Sequence, residues 1–329
     1  METVFVTGGS GFVGRNLIRE LVRRKITVKA LSRSEASSKK LENLGAEVIF
    51  GDLDAVDEMT KAMRGCDVVF HCAALVVESG DPDRFHQVNV TGTENVLTAA
   101  KAADVPKFVH LGTEAVLIGG PQLINADETW HLPKKNIGLY PTTQALAEKA
   151  VLAANGRAMK TISVRPRFIW GRDDTSLLPR FVEAIENGNF MWISGGHYPV
   201  STCHIDNVVE GLLLAAEKGE GGEIYFLSDG SPVEFRTFIS NLLATQGVDV
   251  PGRSIPRPLA RAAANVTDFI WNRFKLKSEP PITRARIKLV GEEATVNDAK
   301  ARDKLGYEGK MTVEKGLAEM RQTAGASVA

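Results

Sequence analysis

Eleven residues near the start of the chain, Val4 to Gly14 (V-F-V-T-G-G-S-G-F-V-G), constrain its fold more than any other stretch. Val4, Phe5 and Val6 form a short β-prone run; Gly8, Gly9, Gly11 and Gly14 follow, and Phe12 to Leu21 carries apolar residues at helical spacing. Glycines let a backbone turn sharply and lie close to a ligand. The helix that opens behind them offers free N–H groups and the positive end of its dipole, a geometry suited to a pyrophosphate. G-x-G-x-x-G occurs often by chance. Gly9, Gly11 and Gly14 gain meaning from the strand before and the helix after them. Gly8, Gly11, Phe12, Val13 and Gly14 are therefore the candidate dinucleotide loop, against the plain alternative of a glycine turn without a ligand.

The alternation continues along the chain. Thr27–Leu31, Ala46–Phe50, Val68–Cys72, Lys107–Leu111 and Thr161–Val164 read as strands, and helical patterns such as Asn89–Ala103 and Thr142–Ala154 lie between them. Strands separated by helices of this length predict an α/β fold with a doubly wound parallel Rossmann sheet, placed over residues 1–170. Past Arg165 the pattern breaks at Pro166, Gly171, Gly188, Gly195, Gly196 and Pro199. Helices near Leu178–Glu186, Val208–Glu217 and Phe235–Thr245 and a strand Glu223–Leu227 remain. Residues 171–329 are expected to form mainly a smaller C-terminal substrate lobe, with later segments returning to the first domain. Leu259–Phe274 is loosely amphipathic: a helix packed on its own domain is the commoner outcome, and a lipid surface or the roof of an apolar pocket are the others.

The strand ends indicate the ligand. In a dinucleotide fold an acidic residue about 20 positions past the glycines binds the ribose 2′-OH, whereas an arginine accommodates a 2′-phosphate. Arg33 occupies this region and no Asp or Glu occurs from Ile26 to Ser34. NADP is thus preferred, NAD remains open, and a solvated loop charge is the alternative for Arg33. Asp52, beside Leu53, is placed to accept from an adenine amino group, and the small residues Ala73 and Ala74 would let a cofactor pass.

Forty basic and forty acidic side chains cancel, which removes any global attraction to nucleic acid or an anionic membrane. Three cysteines without ligand spacing suit a reduced, cytoplasmic setting, and no spacing among the six histidines predicts a metal. No leader-like opening is seen, and no apolar run approaches the roughly 18 residues of a membrane span.

The motifs T-G-G-S-G-F-V-G, H-C-A-A at His71–Ala74, N-V-T-G-T-E-N-V-L from Asn89 and a tyrosine at position 140 resemble those of the extended short-chain dehydrogenase/reductases. S-V-R-P-R-F-I-W-G-R-D-D (Ser163–Asp174), C-H-I-D-N-V-V-E-G (Cys203–Gly211) and K-A-R-D-K-L-G-Y (Lys300–Tyr307) are most similar to the 3β-hydroxysteroid dehydrogenase-like branch. This resemblance implies hydride transfer between nicotinamide and a secondary alcohol or ketone on a small hydrophobic, steroid-like substrate. It makes Tyr140 the general acid/base and Thr113 the second hydrogen-bonding group, with Asn89 ordering a proton relay. Pro166, Phe168 and Ile169, after Arg165, would meet the nicotinamide carboxamide. A homodimer is implied, and His204 and Asp206 match an H-x-D segment in which Asp206 is read as a helix N-cap.

One position departs from the family. The chain reads Y-P-T-T-Q, so Gln144 stands where Y-x-x-x-K has lysine. Glutamine can hydrogen-bond a ribose but brings no charge to lower the tyrosine pKa. An unassisted tyrosine titrates near 10, and three pKa units correspond to about 4 kcal/mol. Lys149, five residues on, points about 140° away around the helix. The chain is therefore expected to bind cofactor, to turn over poorly and to lose oxidation more than reduction. A non-catalytic dinucleotide sensor and a sugar-nucleotide epimerase or dehydratase are the alternatives.

Overall fold

The computed structural model describes residues 1–77, 79–274 and 280–326. Its centre is a sheet of β1 (Thr3–Thr7), β2 (Thr27–Ser32), β3 (Glu47–Phe50), β4 (Val68–His71), β5 (Lys107–Leu111), β6 (Lys160–Pro166) and β7 (Ile224–Leu227). The order is β7-β6-β5-β4-β1-β2-β3, with every neighbouring pair parallel. Strand order reverses between β1 and β4, and a crevice opens there at the strands' C-terminal ends. The expected doubly wound sheet is present, and β7 is supplied by the later part of the chain.

Alternation along each strand sends side chains to both faces. On one face Val4, Val6, Val28, Phe70, Val109 and Val164 pack against Leu17, Ile18 and Leu21 of α1 (Phe12–Arg23). Val208, Leu212 and Ala216, from the helix Ile205–Lys218, complete that layer. On the other face Phe5, Val69 and Phe108 meet Met59 and Met63, together with Val96, Leu97 and Ala100. Burial on both faces explains why these strands read as nearly continuous apolar runs.

Two helices differ from the spacing-based reading. Following α2 (Glu35–Asn43) and α3 (Val56–Met63), α4 (Pro82–His86) runs through a π-turn, Gln87–Thr91, into α5 (Gly92–Ala102). Asn89 thus sits in a locally widened helix, a distortion often found at functional sites. α6 (Leu139–Ala153) starts before Thr142, which places Tyr140 in its first turn. Pro141 is tolerated there because first-turn N–H groups have no intrahelical partner.

The second lobe is held by aromatic packing and carries only short strands. Phe168, Trp170, Phe190, Trp192, Tyr198, Phe235 and Phe238 form its core, with edge-on contacts such as Trp170–Phe238 at 5.1 Å and Phe190–Trp192 at 4.9 Å between centroids. Two-residue strands pair around it, among them Ile169–Trp170 with Cys203–His204. The helices of this half of the chain are α7 (Leu178–Glu186), α8 (Ile205–Lys218), α9 (Phe235–Ala244), α10 (Arg257–Phe274), α11 (Arg284–Val290), α12 (Ala299–Leu305) and α13 (Val313–Ala326), of which α8 and α12 return to pack on the central sheet. α10 packs on its own lobe through Ala260 and Ala264, next to Ile287 of α11, and turns Leu259, Val266, Phe269 and Phe274 outward. Small residues make the close contact, and bulky ones are left in solvent.

His71 and His110, on adjacent strands, are both buried and stacked at 5.6 Å. Burial pushes His110 down to about 4 and His71 well below its ordinary value. Unfolded histidine titrates near 6.5, so the unfolded chain takes up protons that the fold excludes. The resulting stability is complete above that value and declines as pH falls towards 4. Between pH 7 and pH 5, His110 alone is expected to remove about 2 kcal/mol, measured by urea unfolding, and His110→Met should flatten that slope.

Candidate active site

The glycine loop sits at the switch point, and its geometry requires glycine at two positions. Gly8 has φ +69, and a Cβ there would lie 2.6 Å from the backbone N of Ala73; at Gly14 a Cβ would lie 2.2 Å from the Gly8 carbonyl oxygen. Gly11 precedes α1 without a side-chain cap, so the N–H groups of Phe12, Val13 and Gly14 face the crevice with no capping acceptor. The side chains of Phe12 and Val13 are buried in the core, which leaves their backbone as the part that can meet a ligand. Thr7 ties the two strand ends together: its hydroxyl contacts His71 Nδ1 at 2.7 Å and accepts from Ala73 N–H at 3.4 Å. Ala73 and Ala74 continue from β4 along the crevice.

Arg33 lies exposed at the end of β2, and its guanidinium makes no hydrogen bond or ion pair among the described residues. Ser34 beside it caps α2, accepting from Ser37 N–H at 3.3 Å. Asp52 is exposed beyond β3, and one of its oxygens accepts from Asp54 N–H at 2.9 Å. Leu53 turns inward against Gly92 at the head of α5.

Thr113, Tyr140 and Gln144 come together from two elements. Thr113 follows β5 and caps the 3-10 turn Glu114–Leu117, accepting from Ala115 N–H at 3.2 Å. Tyr140 projects from the first turn of α6, with its hydroxyl against that of Thr113. Burial raises the Tyr140 pKa above its ordinary value, the negative charge of Glu114 adds to this, and the Thr113 contact opposes both. Gln144, one turn on, is 2% exposed, and among the described residues its amide makes no protein hydrogen bond. Lys149 is exposed on the outer side of the helix, as its spacing predicts.

Sequence reasoning did not identify Glu114. The Thr113 hydroxyl donates to Glu114 Oε2 at 2.9 Å, and Oε1 pairs with Arg167 Nη1 at 3.2 Å. Both charged side chains are almost fully buried, and Arg167 is also held by the carbonyl oxygens of Leu289 at 2.9 Å and Ala294 at 3.1 Å. A parallel pair sits beneath it: Arg165 Nε donates to Glu148 Oε2 at 2.8 Å, an oxygen that also accepts from the Ser163 hydroxyl at 2.8 Å. A signal was present in S-V-R-P-R-F. Two arginines in an otherwise apolar strand require buried acidic partners.

The remaining candidates are placed as follows. Asn89 accepts from Leu75 N–H at 2.7 Å and donates to Thr143 Oγ1 at 3.0 Å, so it braces the segment after β4 against α6 and makes no bond to Gln144. Pro166 ends β6, Ile169 is half-buried, and Phe168 adopts φ +50. The Phe168 ring packs edge-on against Phe235 and Phe238, so only its backbone can face a cofactor. Asp206 is not the cap of α8. The cap is His204, whose Nδ1 accepts from Asp206 N–H at 3.2 Å; the ring reaches that distance because its strand enters the helix in extended conformation. Ligand atoms of His204, Asp206 and Glu319 fall within 4.8 Å of one another. The cation among them is Arg172, which donates to Asp206 at 2.8 Å and to Glu319 at 3.0 Å.

A parallel doubly wound sheet, a glycine cradle at its switch point and a Thr–Tyr pair beyond β5 together define an NAD(P)-dependent short-chain dehydrogenase/reductase. A model of the 3-beta hydroxysteroid dehydrogenase/isomerase family matches residues 5–257, and the chain belongs to that family. It is 49% identical over 318 residues, covering 97% of this chain and 95% of the relative, to 4-hydroxy-2-methyl-3-oxo-4-farnesyl-3,4-dihydroquinoline-1-oxide ketoreductase of Stigmatella aurantiaca. It is 34% identical over 97% of this chain and 100% of the relative to the decarboxylating sterol-4-alpha-carboxylate 3-dehydrogenase of Dictyostelium discoideum. The structure of UDP-glucuronic acid 4-epimerase from Bacillus cereus in complex with NAD aligns with TM-score 0.75 at 17% identity, over 99% of this chain and 100% of that one. At that identity the likeness concerns the fold alone. Among the described residues, no helix is long and apolar enough to cross a membrane.

The 2.2 Å approach at Gly14 makes the loop intolerant of a side chain. Gly14→Ala is expected to weaken dinucleotide binding about tenfold or more by fluorescence titration and to lower the thermal unfolding temperature, because the head of α1 must move away from Gly8.

Proposed function

We propose that this chain is a ketoreductase that uses NADPH to reduce a ketone on a hydrophobic, steroid-like or prenylated ring substrate. The observation that carries the reading is Tyr140, buried beside Thr113 and Glu114 with an uncharged glutamine in the lysine position. The relatives add support, since one is named for reduction of a farnesylated quinoline oxide and another for dehydrogenation of a sterol carboxylate.

The crevice fits a dinucleotide because the head of α1 opens onto it without a side-chain cap, leaving N–H donors for phosphate oxygens. Gly11 to Gly14 would hold the pyrophosphate, Asp52 the adenine amino group, and the backbone around Pro166, Phe168 and Ile169 the carboxamide. Arg33, exposed and unpaired among the described residues at the end of β2, supports a 2′-phosphate and hence the preference for NADP. When bound, the nicotinamide supplies hydride to the carbonyl carbon. As charge builds on the carbonyl oxygen, the Tyr140 O–H bond breaks and its proton moves to that oxygen, a contribution of about 10²- to 10⁴-fold. This step uses neutral phenol, the form that burial and a missing ammonium favour. Alcohol oxidation uses phenolate, the form they disfavour. Gln144 would hydrogen-bond the nicotinamide ribose through its unpaired amide.

The test is single-turnover hydride transfer from NADPH and NADH to steroid, aromatic and prenylated ring ketones. NADPH should outperform NADH, and Arg33→Ala should remove about tenfold of that advantage. Gln144→Lys should raise oxidation more than reduction. Cofactor binding without transfer in both wild type and Gln144→Lys would favour a sensor in place of an enzyme. We also propose a homodimer through the outer faces of α5 and α6, where Leu146 is 39% exposed. Sedimentation of Leu146→Asp should then show a monomer.

A further inference from the structure

The proposed reduction leaves Glu114 and Arg167 without a role. A buried carboxylate adjoining the catalytic threonine is costly unless paired, and here the partner is an arginine from beyond β6. The hydroxyl of Thr113 has a single proton. Its oxygen lies 2.9 Å from Glu114 Oε2, an acceptor for that proton, touches the Tyr140 hydroxyl, and accepts from Ala115 N–H at 3.2 Å. Glu114 therefore competes with Tyr140 for the one Thr113 proton.

We propose that Glu114, clamped by Arg167, is a positioning residue that holds Tyr140 in its neutral phenol form. It competes with Tyr140 for the Thr113 proton and places a carboxylate beside the phenol, so the resting site holds the protonated form that ketone reduction consumes. The proposal rests on the reductase reading and extends it. A phenolate at Tyr140 would need donors. Thr113 shares its one proton with Glu114, and Gln144 offers at most an uncharged amide N–H. A phenol, by contrast, finds an acceptor in Thr113 until a ketone arrives. In reduction the Tyr140 proton goes to the carbonyl oxygen as hydride from the nicotinamide forms the new C–H bond. The phenolate left behind regains a proton from solvent. In oxidation the same phenolate must be present at the outset, and the Glu114 carboxylate opposes it.

The polar groups around Tyr140 are few. Thr113 and Glu114 face it from the segment after β5, and Gln144 from its own helix. Arg167 stands behind Glu114, and Tyr198 lies beyond Arg167. Among the described residues, Glu114 is thus the nearest negative charge acting on the phenol. Arg167 sits on its far side and offsets its charge only in part.

The experiment is the pH profile of oxidation and reduction by the full chain, with Glu114→Gln compared with wild type. Glutamine keeps the volume and an acceptor for Thr113 but removes the charge. The rising limb of oxidation should move to lower pH by about one unit, with a roughly tenfold higher oxidation rate at a given pH on that limb. Because Glu114→Gln leaves Arg167 charged and buried, Glu114→Gln/Arg167→Met removes both charges and should shift the limb in the same direction. A fall in both rates with unmoved limbs in either folded variant would overturn the proposal and leave the pair a structural brace. A readout independent of substrate separates this from failure of the reductase reading. The phenolate absorbance of Tyr140, taken as wild type minus Tyr140→Phe, should appear at lower pH in the charge-free variants, and an unchanged titration would overturn the proposal even if no ketone is reduced.

Discussion

Everything in the first domain depends on a close backbone approach at the head of α1. Gly8 lies against the chain leaving β4, and Gly14 lies against Gly8, at separations that leave no room for a Cβ. This contact fixes how near the first helix comes to the switch point and therefore how wide the crevice is. Thr7 reinforces it by bridging His71 and Ala73, so the two central strands end in register with each other. The depth of the cleft and the free N–H groups at its floor both follow from residues that lack side chains.

The second determinant is a pair of buried ion pairs, one on each side of Pro166. Arg165 joins β6 to Glu148 of α6, and Arg167 joins the following loop to Glu114 beyond β5. Ion pairs at such depth contribute little net stability, because desolvation offsets most of the attraction, yet loss of one partner is severe. Their effect is geometric. They hold the helix carrying Tyr140 and the turn carrying Thr113 against the same strand. The aromatic lobe then closes over that strand through the edge-on contacts of Phe168 and Trp170.

Electrostatics near Tyr140 are unusual for what the site lacks and what it adds. A neutral Gln144 takes the lysine position while a carboxylate stands beside the threonine. Both act in the same direction on the phenol. What the sequence presents as a damaged catalytic motif becomes, with Glu114 in place, an environment consistent with keeping tyrosine protonated.

The sequence by itself determined the sheet, its parallel connections and the glycine turn between β1 and α1, because these are encoded by local spacing, apolar runs and glycines at fixed offsets, while Thr113, Tyr140 and Gln144 were singled out by the family resemblance. It also revealed that Lys149 points away from Gln144. It did not reveal the π-turn at Asn89, the capping of α8 by His204 in place of Asp206, or the link from Thr113 through Glu114 to Arg167. Each of these depends on a partner far along the chain, or on a strand meeting a helix at a particular angle. Tertiary structure decided them for one physical reason: a buried polar group takes whichever partner the fold brings within about 3 Å, and local sequence does not specify that distance.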